Sequence, residues 1–178
     1  MIEDEHNLVA RAMEGEAEAF GLLYDFYMPR IYRFVLFRVS HREEAEDLTH
    51  QTFLKAWEHI ETYEPRGYPF SSWLYKIARN TVIDNHRRSK PQLSIESIAP
   101  ELLIEKSSQG QEMEVRLEWD RLLTGIQELK EIEQDVLIMR FVDDLTHKEV
   151  AKAIDKSEGA TKVIQHRALR NLKKILEQ

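Results

Sequence analysis

Between residues 70 and 90 the chain reads FSSWLYKIARNTVIDNHRRSK, with cations and amides recurring at helical spacing. At 3.6 residues per turn, Leu74, Ile77, Ala78 and Thr81 share one side of a predicted helix. Lys76, Arg79, Asn80, Ile83 and Arg87 fall on the other side. Asp84 is the single acid among them, spaced to pair with Arg88 at i,i+4. Just upstream, Tyr63, Tyr68 and Phe70 sit in a stretch punctuated by Pro65, Gly67 and Pro69. Cations that track phosphates, beside aromatics that stack on unpaired bases, are what a site for single-stranded or melted DNA requires. A plain amphipathic helix with a solvated basic face has the same pattern, and this stretch alone does not separate the two.

A second pattern points the same way. From Thr146 the chain runs THKEVAKAIDKSEGATKVIQHRALRNLKKIL. Thr146 and Glu149 have capping-box spacing, and Val150, Ala151 and Ile154 form a short apolar face. Asp155 and Lys156 make a turn, where Asp tolerates the left-handed conformation better than most residues. Ser157 then caps a longer helix in which Ala160, Ile164, Ala168, Leu172 and Ile175 repeat at helical spacing. Short helix, tight turn and basic second helix describe a helix-turn-helix. Opposite the core face, Glu158, Lys162, Gln165 and His166 are placed to enter a major groove, with Arg167 and Arg170 near phosphates.

The rest of the chain must position these two stretches. Its 178 residues fit one large or two small domains, and 42% hydrophobic content is enough to build cores. The net charge of −7 argues against coating DNA by bulk attraction, yet the charge is segregated. Residues 1–64 are acid-rich, whereas 76–90 and 162–174 are locally basic. A protein delivered to DNA by a partner fits that distribution. No apolar run approaches membrane-spanning length, and residues 1–5 are acidic where a signal peptide is basic. The absence of cysteine excludes disulfides, thiolate metal sites and a Cys nucleophile, and a cytoplasmic location is expected.

Periodicity predicts an all-α chain: two small helical domains joined by a flexible linker, the C-terminal one a helix-turn-helix. Helices are expected over 4–14, 16–39 (where Pro29 could kink the chain), 43–61 and 71–88. Phe20, Leu23, Phe26, Tyr27, Ile31, Phe34 and Val35 form one broad apolar face, and Ala45, Leu48, Thr52, Phe53, Ala56 and Ile60 another. Residues 91–110 lose periodicity and are rich in Ser and Pro, which marks a linker between units 1–90 and 111–178. At about 3.3–3.6 Å per residue this tether spans on the order of 70 Å when extended.

Taken together these segments resemble the extracytoplasmic-function sigma factors, promoter-specificity subunits of bacterial RNA polymerase. The resemblance covers nearly the whole chain apart from the linker. It is carried by AEDLTHQTFLKAW at 45–57, WLYKIARNTVIDNHRR at 73–88 and QHRALRNL at 165–172. It implies that unit 1–90 is sigma region 2, which binds core polymerase and opens the minus-ten element. Unit 111–178 is then region 4, which reads the minus-thirty-five element. By the same resemblance Asp47, His50, Gln51 and Leu54 face the large polymerase subunit. Tyr63, Tyr68, Phe70, Lys76, Arg79, Asn80, Ile83 and Arg87 would then serve the minus-ten DNA, their loop framing a pocket for a flipped base. Glu158, Lys162, Gln165, His166, Arg167 and Arg170 would serve the minus-thirty-five DNA. An anti-sigma factor is a partner the resemblance leaves open. The chain departs from the family pattern at His50-Gln51, where Gln-Glu is usual, and at Lys130, Gln134 and Asp144, where Pro, Arg and Gly are common.

Several other chemistries find no support. The seven histidines are scattered, and none has HExxH spacing, so no metal site or other cofactor is expected. There is no GxGxxG, P-loop or GxSxG, which leaves nucleotide hydrolysis and acyl transfer without machinery, and a non-enzyme is expected. Trp57 and Trp73 read as packing residues. Three rival functions remain, the most distant of them an all-α metal hydrolase. A stand-alone helix-turn-helix regulator with a helical sensing domain predicts a dimer on a palindromic site. A helical protein-interaction adaptor leaves the basic stripe of residues 76–87 unexplained.

Overall fold

Among the residues described by the computed structural model (4–65, 67–88 and 112–177, with 112–116 as backbone only), the regular structure is helical and contains no strand. The first four helices are α1 Glu5–Met13, α2 Ala17–Val39, α3 Arg42–His59 and α4 Phe70–Arg88, with a 3-10 turn at Ile60–Thr62. The last four are α5 Glu112–Gln127, α6 Glu131–Leu137, α7 His147–Ala153 and α8 Glu158–Leu176. The expected linker at 91–110 lies outside the described residues.

Helix α2 is the organising element of the first half. Its residues Leu23, Tyr27, Ile31, Phe34 and Val35 are buried at spacings of three and four, and the helix runs unbroken past Pro29. Helices α3 and α4 pack beside it. Thr49 and Thr52, on the inner face of α3, donate their hydroxyls back to the carbonyls of Ala45 and Leu48, so their burial leaves no donor unmet. Helix α1 closes the end of this bundle: the Glu5 carboxylate accepts the Tyr27 hydroxyl and, at 3.3 Å, the first backbone N–H of α4 at Phe70. That N–H has no partner within its own helix, so an acid 65 residues away serves as its cap.

The second half is assembled by local rules that were legible beforehand. Thr146 and Glu149 form the complete capping box, and the Ser157 side chain accepts from the N–H of Ala160. Asp155 occupies the left-handed region with φ 53° and turns the chain between α7 and α8. The family departures are accommodated in the same terms. Asp144 takes a left-handed φ of 55° where Gly is common. Lys130, where Pro is common, is the N-cap of α6 with φ −63°, the value that proline would fix. A π-helical segment, Ile138–Val142, extends α6 and is followed by Asp143, which pairs with Arg33 of α2.

The two halves are docked on each other. Helices α2 and α4 of the first meet α6, the π segment and α7 of the second, and one continuous cluster of buried side chains runs through both. Acids two positions apart on α6 point to opposite sides. Buried Glu133 faces α8, where Arg167 approaches to 2.6 Å and Asn171 donates to it. Asp135 faces the first half. Its Oδ1 lies 2.8 Å from Arg38 Nε of α2, and its Oδ2 accepts from Arg79 Nε of α4 at 2.6 Å. Gln134 accepts from Arg38 and donates to the carbonyls of Gln127 and Leu129, while Gln127 donates to the carbonyl of Phe37.

Candidate nucleic-acid and polymerase interfaces

Three surfaces were expected to do the work, and the structure leaves them in different states. On α3, Asp47, His50, Gln51 and Leu54 are all exposed, opposite the buried Ala45, Leu48, Thr52, Phe53 and Ala56. Leu54 is 58% exposed, an apolar side chain that its own helix bundle does not use. The placement of this face matches the periodicity.

The stripe on α4 is partly covered. Asn80 and Arg87 are exposed and Ile83 is half-buried. Lys76, expected beside phosphates, is paired with Asp155 of the α7–α8 turn at 2.8 Å. Arg79 is committed to Asp135. Both cations therefore hold carboxylates of the second half in the positions where phosphates were anticipated. Phosphate and carboxylate are both good partners for such groups, so a helix face of cations spaced to suit phosphates also docks an acidic surface. Asp84 and Arg88 are both exposed, and the anticipated pair between them is not formed among the described residues.

The aromatic loop corrects the sequence reading more sharply. Tyr63 and Phe70, expected on an exposed loop, are buried, and with Trp73 they form a cluster with ring centroids 5.2–5.5 Å apart. Tyr63 donates its hydroxyl to the carbonyl of Tyr68 at 3.3 Å, which shapes the loop from inside. Hydrophobic burial thus claims the two rings that flank the loop. Tyr68 alone stays half-buried, with the Lys148 and Lys152 ammoniums of α7 over its ring at 5.2 and 5.0 Å. Trp57 packs on Phe20 at 4.9 Å, in the role expected of it.

Beside Tyr68 lies a cavity of about 640 Å³ between the halves, lined by Phe26, Arg30, Tyr68, Ser71, Asp143 and Glu149 among others. Asp143 and Glu149 come from the second half and make the cavity acidic, which disfavours nucleic acid while the halves are docked. Asp143 is held by Arg33, whose Nη2 and Nε reach Oδ1 at 2.8 and 3.0 Å. Its Oδ2 and the nearby Tyr75 hydroxyl have no hydrogen-bond partner of ordinary geometry. Burial pushes the Asp143 carboxyl up to about 6, while Arg33 pulls it back.

A raised carboxyl value favours the docked form at acid pH. That contribution is complete below 3.8, the ordinary value, and is lost as pH rises through about 6. Docking is therefore expected to tighten between pH 7 and pH 5. Asp143→Asn should tighten it at pH 7 and shrink the pH dependence, as read by small-angle scattering across that range. A variant with the same pH profile as the parent would remove Asp143 from this linkage.

On α8, Glu158, Lys162, His166, Arg167 and Arg170 are exposed, and Ile164, Ala168 and Leu172 are buried as expected. Lys162 is paired with Glu158 at 2.7 Å on the surface. Gln165 is half-buried: its Oε1 lies 2.9 Å from His147 Nε2 and weakly accepts from Arg140, so it bridges α7 and α8. Arg167 lies against Glu133. Arg33, Arg38, Asp135 and Asp143 were not among the expected site residues. For Arg38 the signal was one cation inside the apolar run FVLFRV.

Comparison with known sequences bears on the same regions. The Sigma-70 region 2 profile matches residues 23–92, and that of Sigma-70, region 4 matches residues 125–174. The chain is 30% identical over 154 residues to the ECF RNA polymerase sigma factor SigM of Bacillus subtilis, covering 86% of this chain and 92% of that protein. The chain belongs to the extracytoplasmic-function sigma factors. It is also 39% identical to the ECF RNA polymerase sigma factor BldN of Streptomyces coelicolor, over 95% of its own length and 64% of BldN. Its fold is shared with the structure of CnrH in complex with the cytosolic domain of CnrY, at TM-score 0.75 and 20% identity over 98% of both chains. The co-crystal structure of the sigma factor RpoE with the anti-sigma factor NepR from Bartonella quintana shares it at TM-score 0.69, with 18% identity, covering 90% of this chain and 98% of that one. In this sigma factor, then, the α3 and α8 faces are open, and Lys76 and Arg79 of the α4 stripe are engaged by the other half while Asn80 and Arg87 stay exposed. Among the described residues no helix is long and apolar enough to cross a membrane, and no group of acids and histidines is arranged to hold a metal ion.

Proposed function

We propose that this chain is a cytoplasmic, non-enzymatic promoter-specificity subunit that works in two arrangements, docked and open. Unit 1–90 binds core RNA polymerase through Asp47, His50, Gln51 and Leu54 and captures the melted minus-ten strand with Asn80, Ile83, Arg87 and the loop at Tyr68. Lys76 and Arg79 join that surface once Asp155 and Asp135 leave it. Unit 111–178 reads the duplex minus-thirty-five element with α8, and residues 91–110 tether the two. The observation that carries this reading is the pairing of Lys76 and Arg79 with Asp155 and Asp135: the cations suited to phosphate are engaged by acids from the DNA-reading half. An anti-sigma factor is a further partner on this reading, as the sigma factor RpoE, which shares the fold, has been solved with the anti-sigma factor NepR.

Strand opening on this reading needs no ATP. Base capture and phosphate contacts stabilise a melted state that the duplex already samples. Asn80→Ala should weaken open-complex formation on a duplex promoter roughly tenfold, the effect of losing about 1–2 kcal/mol of base contact. A pre-melted bubble should restore part of that loss, because it removes the unpairing cost. Equal defects on both templates would assign Asn80 to ordinary contact. The overall test is reconstitution: the full chain mixed with core polymerase should co-purify and direct initiation from an asymmetric promoter. A homodimer that binds a palindrome without polymerase would replace this reading with that of a stand-alone regulator.

A further inference from the structure

Helix α8 carries an apolar side chain that neither half of the protein uses. Val163 is 67% exposed, the most exposed of the large hydrophobic residues among those described. It lies one turn into the helix, on the face opposite Ile164, Ala168 and Leu172, with Lys162 and His166 beside it and Arg170 two turns on. A β-branched residue on a solvated helix surface gains nothing from burial and is a poorer helix former than Ala. Its place between cations sets it apart from scattered surface hydrophobics.

Gly159 is a second, independent oddity on the same face. It stands one turn before Val163, in the first turn of α8, where Gly costs roughly 0.5–1 kcal/mol relative to Ala. The fold supplies no reason for it: a Cβ built there meets nothing within 4 Å, and its φ is not in the left-handed region. Gly125 shows the contrast, since a Cβ there would come within 3.0 Å of Leu172. The free protein has room for a side chain at 159, so the need for a bare backbone arises in a complex.

Resting on the reading of α8 as the duplex reader, we propose that Gly159 and Val163 form an apolar notch that recognises the 5-methyl group of a thymine in the major groove. Gly159 lets the helix backbone approach the base edge, and the Val163 methyls cover the thymine methyl. Thymine is the one base that presents a methyl there, so an apolar contact is itself sequence information. Recognition-helix residues near the N-terminus are those that reach base edges, which places 159 and 163 ahead of Arg170. The flanking cations argue for DNA as the occupant, because Lys162 and Arg170 complement phosphates and make the notch a poor seat for an uncharged protein surface. Gln165, tied to His147, holds α7 and α8 in register beneath it.

The test uses the full chain assembled with core polymerase. Selection from a duplex library randomised in the upstream element identifies preferred base pairs, and each selected thymine is then replaced by deoxyuridine, which lacks only the methyl. At one position the parent protein should lose about fourfold in affinity, the factor for one buried methyl-sized group. Val163→Ala should bind the thymine and deoxyuridine duplexes equally while keeping its preferences elsewhere. Gly159→Ala should retain native helix content and lose affinity for the thymine-containing duplex. Insensitivity of the parent to every deoxyuridine replacement overturns the inference, as does a Val163→Ala variant that keeps the discrimination. If Val163→Ala leaves DNA selection untouched but abolishes binding to an anti-sigma protein, the notch serves a protein instead. Failure of the parent to select any upstream sequence would sink the duplex-reader reading itself, a result distinct from selection without methyl dependence.

Discussion

Replacing Asp135 with Ala should open this protein. The Asp135 carboxylate is fully buried between two guanidiniums from the other half, with Arg38 on one oxygen and Arg79 on the other. Arg38 is itself 1% exposed, so it has no water to replace the lost partner. Removing one member of a buried ion pair costs roughly 3–5 kcal/mol, mostly as the penalty of an uncompensated charge. In the open arrangement Arg38, Arg79 and residue 135 regain water, so the cost falls on docking rather than on either helical bundle. The closed-to-open ratio should fall by roughly two to nearly four orders of magnitude, the factor this energy implies. Scattering should report a larger radius of gyration at unchanged helix content. Binding of the free chain to single-stranded DNA should rise as Lys76 and Arg79 are released. Unchanged scattering together with unchanged single-strand affinity would show that Asp135 does not hold the halves together.

Asp47→Lys should abolish polymerase binding without disturbing the fold. Asp47 is exposed on α3, one turn before His50 and Gln51 and two before Leu54, and the inner face of the helix is fully used by Ala45, Leu48, Thr52 and Phe53. No hydrogen bond or ion pair of the described residues depends on it, so circular dichroism and melting temperature should match the parent closely. Setting like charges against each other in an interface costs several kcal/mol, so affinity for core polymerase should fall on the order of a hundredfold or more. Leu54→Ala offers a milder companion, since it removes only apolar area at the same site. Native affinity of Asp47→Lys in a pull-down would move the docking surface off this helix. Because α3 lies apart from the docking contacts of α2 and α4, this variant and Asp135→Ala should act independently.

What could be read from the chain was whatever obeys a local rule. The caps and the turn of the helix-turn-helix were legible, because the Thr146–Glu149 capping box, the Ser157 cap and the left-handed Asp155 depend on neighbours within four positions. The inner and outer faces of α3 followed from helical period alone, and so did the buried line of Ile164, Ala168 and Leu172. The aromatic loop defeated the same reasoning. Pro65, Gly67 and Pro69 marked an irregular, polar-looking segment, yet Tyr63 and Phe70 at its ends are drawn under it by the apolar area they bury against Trp73. Val163 and Gly159 were present in the sequence without being informative, because exposure and an empty shell are properties only of the packed helix.

The sequence by itself determined that this is a helical, two-part chain with a helix-turn-helix at its end and a basic stripe in its middle. Only the tertiary structure decided what that stripe touches. Lys76 and Arg79 carry the same charges in either setting, and period assigns them one face without saying whether a phosphate or a carboxylate meets it. The acids that do meet it are 56 and 79 residues distant, across a segment with no pattern of its own. Pairing over that distance is set by how two surfaces fit, and no window of local sequence contains both.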